Sequence, residues 1–485
     1  MSDTLPPVTD IMNVLKTFEA HTKSLNHVIS EQRIEISRLN YRLGSKDKEI
    51  LVLKRELKTA KEKLSKYEKP IKDSRNSNIS PSQEPIASRH LRRTVSLRKK
   101  TGLKIGGQPG HRGSTLETTP TPDFIVNHAP DFCQQCGRSL PEELSRPLEV
   151  KQVIDLPEII KPLVSEHRIY GKQCSCGCYN RGTFPAEARA PVCYGPNIRA
   201  LITYLHTVQC IPYKRLAETL RECFHVELSQ GTINNIMVSM QEASHEMYEQ
   251  IRSRIIQSPV VGADETGANV GSKSQWIWGF QTDKLTYLYH DPTRSKTAID
   301  KHFPDGLPHS TLVTDRYAPY FSCLVKGHQI CLAHLLRELT YLCELDKNQE
   351  WSSSLKALLQ DAIHKRKTMQ WEDIPREDLY KRLDNLLLNH PLHERHQDFG
   401  RLQRSLLKHR DSIFRFLSNP DIPYDNNATE RAVRLFKIKQ KVSGCFRSDK
   451  GADVYTQLLS IADTSKKNAK SRFQAIRLIA RIARE

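Results

Sequence analysis

Val260-Val-Gly-Ala-Asp264-Glu265-Thr266 is an apolar run of the length of a buried strand, and it stops on acids. Successive strand side chains point to opposite faces, so Asp264 and Glu265 cannot both serve one site from a regular strand. Only one of them is expected to bind metal. Ser274-Gln-Trp-Ile-Trp-Gly-Phe280 and Leu285-Thr-Tyr-Leu-Tyr289 read as two further strands of a meander. After a helical stretch near Lys296 to His302, Thr311-Leu-Val-Thr-Asp315 repeats the design of a short apolar strand ending in a carboxylate.

A third acid lies in Asp425-Asn-Asn-Ala-Thr-Glu430-Arg-Ala-Val-Arg434, where the Asp and Asn residues suit the cap of a helix. On that helix Glu430, Arg434, Lys437 and Lys441 form a polar stripe opposite Ala428, Ala432 and Leu435. Hard divalent ions prefer oxygen ligands, and two of them roughly 4 Å apart activate one oxygen and stabilise another in an in-line phosphoryl displacement. Three carboxylates suffice for that, with the neighbouring cations holding the strand by its phosphates. Strand-end Asp and exposed helical Glu also occur without any metal, so spacing alone leaves both readings open.

The chain of 485 residues is long enough for three or four domains. Its net charge of +19 favours polyanions through counterion release, and nucleic acid is the leading partner. No run approaches the roughly 18 apolar residues of a spanning helix, and the N-terminus lacks a signal-peptide pattern. The expectation is an intracellular, cytoplasmic and nucleoid-associated protein without a membrane partner.

Five of the twelve cysteines fall between Cys133 and Cys178, a pattern of metal binding in a reducing compartment. Cys133-Gln-Gln-Cys136-Gly is a knuckle turn, and Cys174-Ser-Cys176-Gly-Cys178 offers a second pair. Cys133, Cys136, Cys174 and Cys176 are the expected ligands of a structural zinc, with Cys178 the substitute for Cys176. Between them, Lys151 to Leu156 and Leu163 to Tyr170 alternate like the strands of a hairpin that brings the knuckles together. Cys210, Cys223, Cys323 and Cys343 read as small buried hydrophobes.

From Leu25 to Tyr67 a heptad places Ile29, Ile36, Leu43, Ile50, Leu57 and Leu64 on one position and Leu25, Leu39, Leu53, Ala60 and Tyr67 on the other. That is the seam of a coiled coil, expected to be a parallel dimer, or else a lone amphipathic helix packed on its own protein. Gln32 and Lys46 interrupt it and can fix register. Beyond Pro70 lies a Ser-rich basic stretch with Arg92, Arg93, Lys99 and Lys100 as candidate DNA contacts. It closes on Gly106-Gly107-Gln108-Pro109-Gly110-His111-Arg112-Gly113, read equally well as a groove or phosphate contact and as a solvated linker. Between Pro196 and Gln257 three helices are expected, with the one from Thr232 either the reading helix of a helix-turn-helix or a member of a plain bundle.

These motifs together resemble the transposases of insertion-sequence family 66. The resemblance spans nearly the whole chain and rests on the coiled coil, Gly106 to His111, the cysteine pairs, Asp264-Glu-Thr, Thr314-Asp315-Arg-Tyr-Ala, Cys331-Leu-Ala-His334-Leu-Leu-Arg337 and Asp425-Asn-Asn-Ala-Thr-Glu430-Arg-Ala. It implies a ribonuclease-H-like mixed-sheet core in which Asp264, Asp315 and Glu430 bind two Mg²⁺ (or Mn²⁺) ions, with Glu265 the outward neighbour. It further implies hydrolysis at element ends, then attack of the freed 3'-hydroxyl on target DNA. Arg434, Lys437 and Lys441 join the candidate DNA contacts.

The chain departs from the family at Lys439-Gln-Lys-Val-Ser-Gly-Cys-Phe446, and Leu335 to Tyr424 looks like a helical insertion before the last carboxylate. Cys331 and His334 have metal-like spacing without two partners, which favours packing or orientation; His328 and His334 are alternative contacts at the edge of the site. The expected multidomain α/β organisation is a coiled coil (1–68), a basic linker (69–115), a zinc-binding β module (116–192), a helical DNA-binding domain (193–257), a first part of the core (258–333), the helical insertion (334–424), a last part of the core (425–463) and a basic C-terminal helix (464–485). A homodimer or higher multimer on DNA, with element-encoded helper proteins, completes the expectation.

Overall fold

The computed structural model describes residues 8–68, 70–73, 75–77, 118–140, 147, 149–155, 160–185, 188, 190–346, 350–389 and 397–483. Arg92, Arg93, Lys99, Lys100 and the glycine-rich stretch from Gly106 lie outside them. The chain divides into two compact units, one built on the N-terminal helix and one holding the sheet.

The N-terminal helix α1 (Val8–Glu68) is the element that the heptad predicts. Its seam residues Leu25, Ile29, Ile36, Leu39, Leu43, Ile50, Leu53 and Leu57 are all exposed.

In the sheet unit, four helices stand where three are expected: α2 (Pro196–Thr207), α3 (Tyr213–Phe224), α4 (Gln230–Ala243) and α5 (His245–Ile256). The Ser229 hydroxyl caps α4 by accepting from the Thr232 amide. The unforeseen break falls at Ser244, where no glycine or proline marks it. Its hydroxyl donates to the Gln241 carbonyl, and the Gln457 side chain donates to both residues, so tertiary contacts hold the bend.

Five strands follow: β1 (Val260–Val270), β2 (Lys273–Gln281), β3 (Thr286–Asp291), β4 (Leu307–Thr314) and β5 (Val325–Ile330). They are ordered β3-β2-β1-β4-β5, antiparallel across β3-β2-β1 and parallel across β1-β4-β5. Gly271 and Ser272 both take positive φ, the two-residue hairpin turn that matches strand twist. A helix α6 (Lys296–His302) makes the crossover to β4, and a single turn α7 (Ala318–Phe321) the one to β5. Such a mixed sheet fits the ribonuclease-H-like core expected for the chain. The sequence Val-Lys-Gly-His-Gln-Ile of β5 lacks the apolar alternation of a strand. Polar contacts secure it instead: the buried Gln329 amide donates to the Ile413 carbonyl and accepts from the Phe416 amide.

The expected helical insertion stands between β5 and the Glu430 helix as α8 (Leu332–Leu345), α9 (Glu350–Thr368), α10 (Arg376–Leu388) and α11 (Gln397–Lys408). It is followed by α12 (Asn427–Ser443), α13 (Asp449–Lys467) and α14 (Arg472–Ile482). One apolar cluster joins α2 to α5, the sheet residues Val261, Ala263, Trp278 and Phe280, and α13 and α14. On the other face, Ala268, Val270, Ile277 and Leu288 pack against Val433 and Phe436 of α12.

The cysteine-rich segment is different. Its strands are Gly171–Gln173 and Tyr179–Arg181, an exposed ribbon around the second knuckle. The alternating stretches expected as strands, 151–156 and 163–170, form none among the described residues, and Leu163 and Val164 stand almost fully exposed. Alternation predicts a strand only where one face finds something to bury against. Of the single cysteines, Cys210 is buried and Cys323 and Cys343 half-buried, whereas Cys223 is exposed, against expectation.

Candidate active site

The last paired rung between β1 and the parallel β4 is Gly262 with Val313. Asp264 lies two residues further along β1 and Asp315 directly after the end of β4, so the two acids stand just past the last paired rung of neighbouring strands, and the charge of Asp315 reaches Asp264. Helix α12 lies over the strands there. A Cβ on Gly262 would meet Thr429 Oγ1 at 2.4 Å and Asn426 Oδ1 at 2.8 Å, and one on Gly279 would meet Val433 Cγ1 at 2.9 Å. Two bare backbone positions therefore let the helix lie directly on the strands, and Glu430 descends on the side of Asp264.

Asn426 fixes the start of the helix. Its side-chain amide donates to the Ala263 carbonyl at 2.7 Å and its oxygen accepts from the Thr429 hydroxyl, while Gln281 donates to Thr429 at 3.0 Å. The expected capping role falls to Asp425, whose carboxylate accepts from the Asn427 amide. The buried face of α12 is Thr429, Val433, Phe436 and Lys439; Ala428, read as apolar face, is exposed. Lys439, part of the family departure, lies buried 3.3 Å from both ring nitrogens of His206, and burial lowers its pKa to about 8.

Burial holds the Asp264 carboxyl well above the ordinary carboxylate range, reinforced by the charges of Glu265, Asp315 and Glu430. Asp315 is raised to about 6 by burial and by Glu265, against the pull of the Tyr317 amide, which donates at 2.9 Å, and of Arg294 and Arg316. Like charges this close and this dry demand protons or cations. Glu265 does face away from Asp264, but not outward: it is buried, bound by Arg294 at 2.9 Å and by the Tyr320 hydroxyl. The reason is the covered second face of the sheet. Arg294 is itself wedged between the rings of Trp276 and Tyr317.

Glu430 is held loosely, 3.5 Å from His334 Nε2, 3.5 Å from Arg337 and 3.4 Å from Arg434. His334, anticipated at the edge of the site, is thus there, whereas His328 stacks on Phe321. Among the described residues, one group of three metal-ligand atoms lies mutually within 4.8 Å, and it is Cys331, His334 and Glu430, not the three carboxylates. Cys331 and His334 therefore have the third partner that spacing did not reveal.

Of the expected cationic stripe, Arg434 and Lys441 are exposed, but Lys437 is half-buried and donates to the Gly267 carbonyl at 2.8 Å. Sequence reasoning missed Gly262, Gly279 and Arg337; a glycine two residues ahead of a strand-end acid was the available signal for the first. A separate cleft of about 670 Å³ at the β3 edge, lined by Tyr248, Tyr287, Tyr289 and His302 among others, includes none of the three acids.

Both cysteine knuckles are formed as local turns. The Gly137 amide donates to the Cys133 carbonyl and the Gly177 amide to the Cys174 carbonyl, each glycine at positive φ. Amide and thiol groups of Cys136 lower the Cys133 pKa, and those of Cys176 lower that of Cys174, which favours the thiolate form of each. The two pairs do not share a four-sulfur cluster among the described residues. No helix among the described residues is long and apolar enough to cross a membrane.

A family profile described as "Transposase IS66 family" matches residues 191–454. An uncharacterized protein, y4jO, of Sinorhizobium fredii is 33% identical over 72 residues, which are 15% of this chain and 22% of that protein. A chain from the intasome of simian T-cell lymphotropic virus, solved with the PP2A regulatory subunit B56 gamma, is similar at 11% identity. It covers 42% of this chain and 74% of that one with a TM-score of 0.14, too low to carry an argument.

Proposed function

The chain belongs to the IS66 family of transposases, and from that premise we propose that it binds the ends of an insertion sequence, cleaves them and joins them to target DNA. The observation that supports this reading is that burial, together with the charges of Glu265, Asp315 and Glu430, holds the Asp264 carboxyl above its ordinary range beside the helix packed on Gly262 and Gly279. Asp264, Asp315 and Glu430 would hold two Mg²⁺ or Mn²⁺ ions. When bound, such ions activate the attacking oxygen and stabilise the leaving one in an in-line displacement. Desolvation and crowding raise Asp264 and Asp315, so a bound cation would replace their protons, which leave to solvent, and relieve the repulsion between the carboxylates. Glu430, on loose contacts, turns from Arg337 toward the aspartates. Arg434 and Lys441 grip the scissile strand by its phosphates, and no covalent enzyme intermediate is needed.

The rest of the chain serves assembly. The exposed heptad seam of α1 pairs with a second copy, giving a dimer or higher multimer on DNA in the nucleoid. Cys133, Cys136, Cys174 and Cys176 close around a structural zinc, and the basic segment with Arg92, Arg93, Lys99 and Lys100 follows the element ends; element-encoded helper proteins complete the assembly.

Purified full-length protein incubated with labelled element ends and Mg²⁺ tests the reading, with Asp264→Asn and Glu430→Gln beside the parent. Cleavage and strand joining are expected from the parent alone. Cleavage without joining indicates a nuclease; binding without cleavage indicates a silent regulator. Undiminished cleavage by either variant removes the catalytic assignment.

A further inference from the structure

The geometry points to a second metal site, for a borderline-soft divalent cation such as zinc, formed by Cys331, His334 and Glu430 and able to withdraw Glu430 from the carboxylate cluster. The site itself stands on geometry; only its consequence for cleavage rests on the function proposed above.

Three elements deliver the ligands. Cys331 follows β5 directly, its amide donating to the Thr314 carbonyl at 2.7 Å, and its side chain is wholly buried. His334 lies one turn along in α8, and Glu430 in the first turn of α12. The two helices are clamped there: the Leu332 amide donates to the Tyr424 carbonyl at 2.9 Å and the Asn426 amide to Cys331 Sγ at 3.2 Å. One ligand atom from each of the three residues lies within 4.8 Å of the others. Zinc bonds of about 2.0 to 2.3 Å need those atoms roughly 1 Å closer. Glu430 can supply that movement, since its contacts to His334, Arg337 and Arg434 are all 3.4 Å or longer.

An independent observation is the imidazole itself. His334 Nδ1 is buried with no hydrogen-bond partner, and Nε2 reaches only the distant Glu430 oxygen. Nε2 is the nitrogen that faces Glu430, and with no partner nearer than that oxygen among the described residues it is the one open to a metal. The donor set decides which. Thiolate and imidazole suit zinc and reject Mg²⁺, which requires oxygen and octahedral geometry. On binding, the Cys331 thiol releases its proton to solvent, and thiolate plus carboxylate neutralise the ion beside the Arg337 guanidinium. Three protein ligands leave a fourth position open.

The test uses the full chain with Cys133, Cys136, Cys174, Cys176 and Cys178 all changed to Ser, so that the knuckles contribute no sulfur. Cobalt(II) titrated into this protein is expected to give a thiolate-to-cobalt charge-transfer band saturating at one equivalent and bleached by zinc. Cys331→Ser abolishes the band; His334→Gln and Glu430→Gln weaken binding about 10-fold or more. No band in the parent background overturns the proposal even where a variant fails to fold, and so does a band that survives Cys331→Ser. With the native knuckles restored, zinc added at constant Mg²⁺ is expected to slow cleavage in the parent and not in Cys331→Ser, each compared with its own zinc-free rate. A cobalt site in a protein that never cuts DNA keeps this inference and removes the catalytic one; Mg²⁺-dependent cleavage without a cobalt band does the reverse.

Discussion

The acid face of the sheet and the cysteine-rich segment are both candidate metal centres, yet they are built in opposite ways. Asp264 and Asp315 are neighbours through a parallel strand pairing, with two glycines letting a helix lie over the strands, so residues far apart in the chain share one region. Each cysteine knuckle, in contrast, is complete within a few residues, its glycine at positive φ and its thiol aimed by neighbouring amides. The sheet is thus organised before any ion arrives and carries the electrostatic cost in its perturbed aspartates. The cysteine pairs are organised singly, and on the reading proposed above an ion would be what joins them. Metal should accordingly do different things at the two sites: relieve repulsion at one, create tertiary structure at the other.

The sharpest break in this contrast comes from Asp264→Asn. It should lower Mg²⁺-dependent cleavage by roughly 10³-fold or more, while raising the melting temperature of the metal-free protein, because a buried charge conflict is removed. A variant that lost activity and stability together would show Asp264 to be a structural group.

The next effect is on pH dependence. Asp315 titrates at about 6 in the fold against about 3.9 unfolded, so the native state holds the extra proton between those values. Its contribution to stability therefore falls as pH rises from about 4 to about 6, by on the order of 3 kcal/mol. Asp264 acts with the same sign. His206 and His334, lowered to about 3 by burial, and His302 and His328, lowered to about 4, act oppositely: their contribution is present above about pH 6.5 and lost on acidification. Thermal melts of the parent and Asp315→Asn isolate the carboxyl. The advantage of the variant should grow from pH 4 to pH 7 without metal and shrink with Mg²⁺; a pH-independent gap would contradict the assigned repulsion.

Gly262→Ala probes the packing that brings Glu430 in. The new methyl meets Thr429 Oγ1, which Asn426 and Gln281 hold in place, so neither side yields cheaply. A loss of about 1 to 3 kcal/mol is expected, with slower cleavage as α12 lifts from the strands. Denaturant melts and single-turnover cleavage measure the two parts.

The strands β1 to β4, the helix α6 and the helical character of the stretch after β5 were legible because apolar periodicity reports burial, and in this sheet burial is what makes the elements. Asp315 was legible as the residue that closes its strand and Glu430 as a helix-start acid, whereas Asp264, read as a strand end, lies inside β1, which runs on to Val270 because it pairs with β2 past the acids. The packing of the Glu430 helix onto the strands was not legible, since it depends on Gly262 and Gly279 as absences of side chains and on Asn426 used as a tether instead of a cap. The strand β5 and the bend at Ser244 escaped for a related reason: Gln329 and Gln457 hold them through polar contacts that leave no periodic trace. In the cysteine segment the error ran the other way, with alternation present and no surface to receive it.

Phosphate contacts sharpen the contrast on the DNA side. Arg434→Ala and Lys441→Ala should each reduce the slope of log binding constant against log salt by about 0.9, measured by anisotropy on an element end. Lys437→Ala should change it less, because that ammonium is occupied by the Gly267 carbonyl. Equal slopes for all three would place the phosphate contacts on the cysteine module or the basic segment in place of this helix.

The smallest effect on the sheet belongs to Cys133→Ser. The described residues of the cysteine segment contribute nothing to the two apolar clusters around the strands. Removing one thiolate should therefore cost the chain one equivalent of zinc, read by metal analysis, yet leave the melting of the sheet unit within about 0.5 kcal/mol of the parent. If zinc closes one knuckle on the other, its binding energy goes into that closure, and a core that does not lean on the knuckles should not register its loss. An unchanged zinc content would remove Cys133 from the ligand set. A core that melted early would mean that the closed module docks on the sheet, and the division between a pre-built and an ion-built centre would then be wrong.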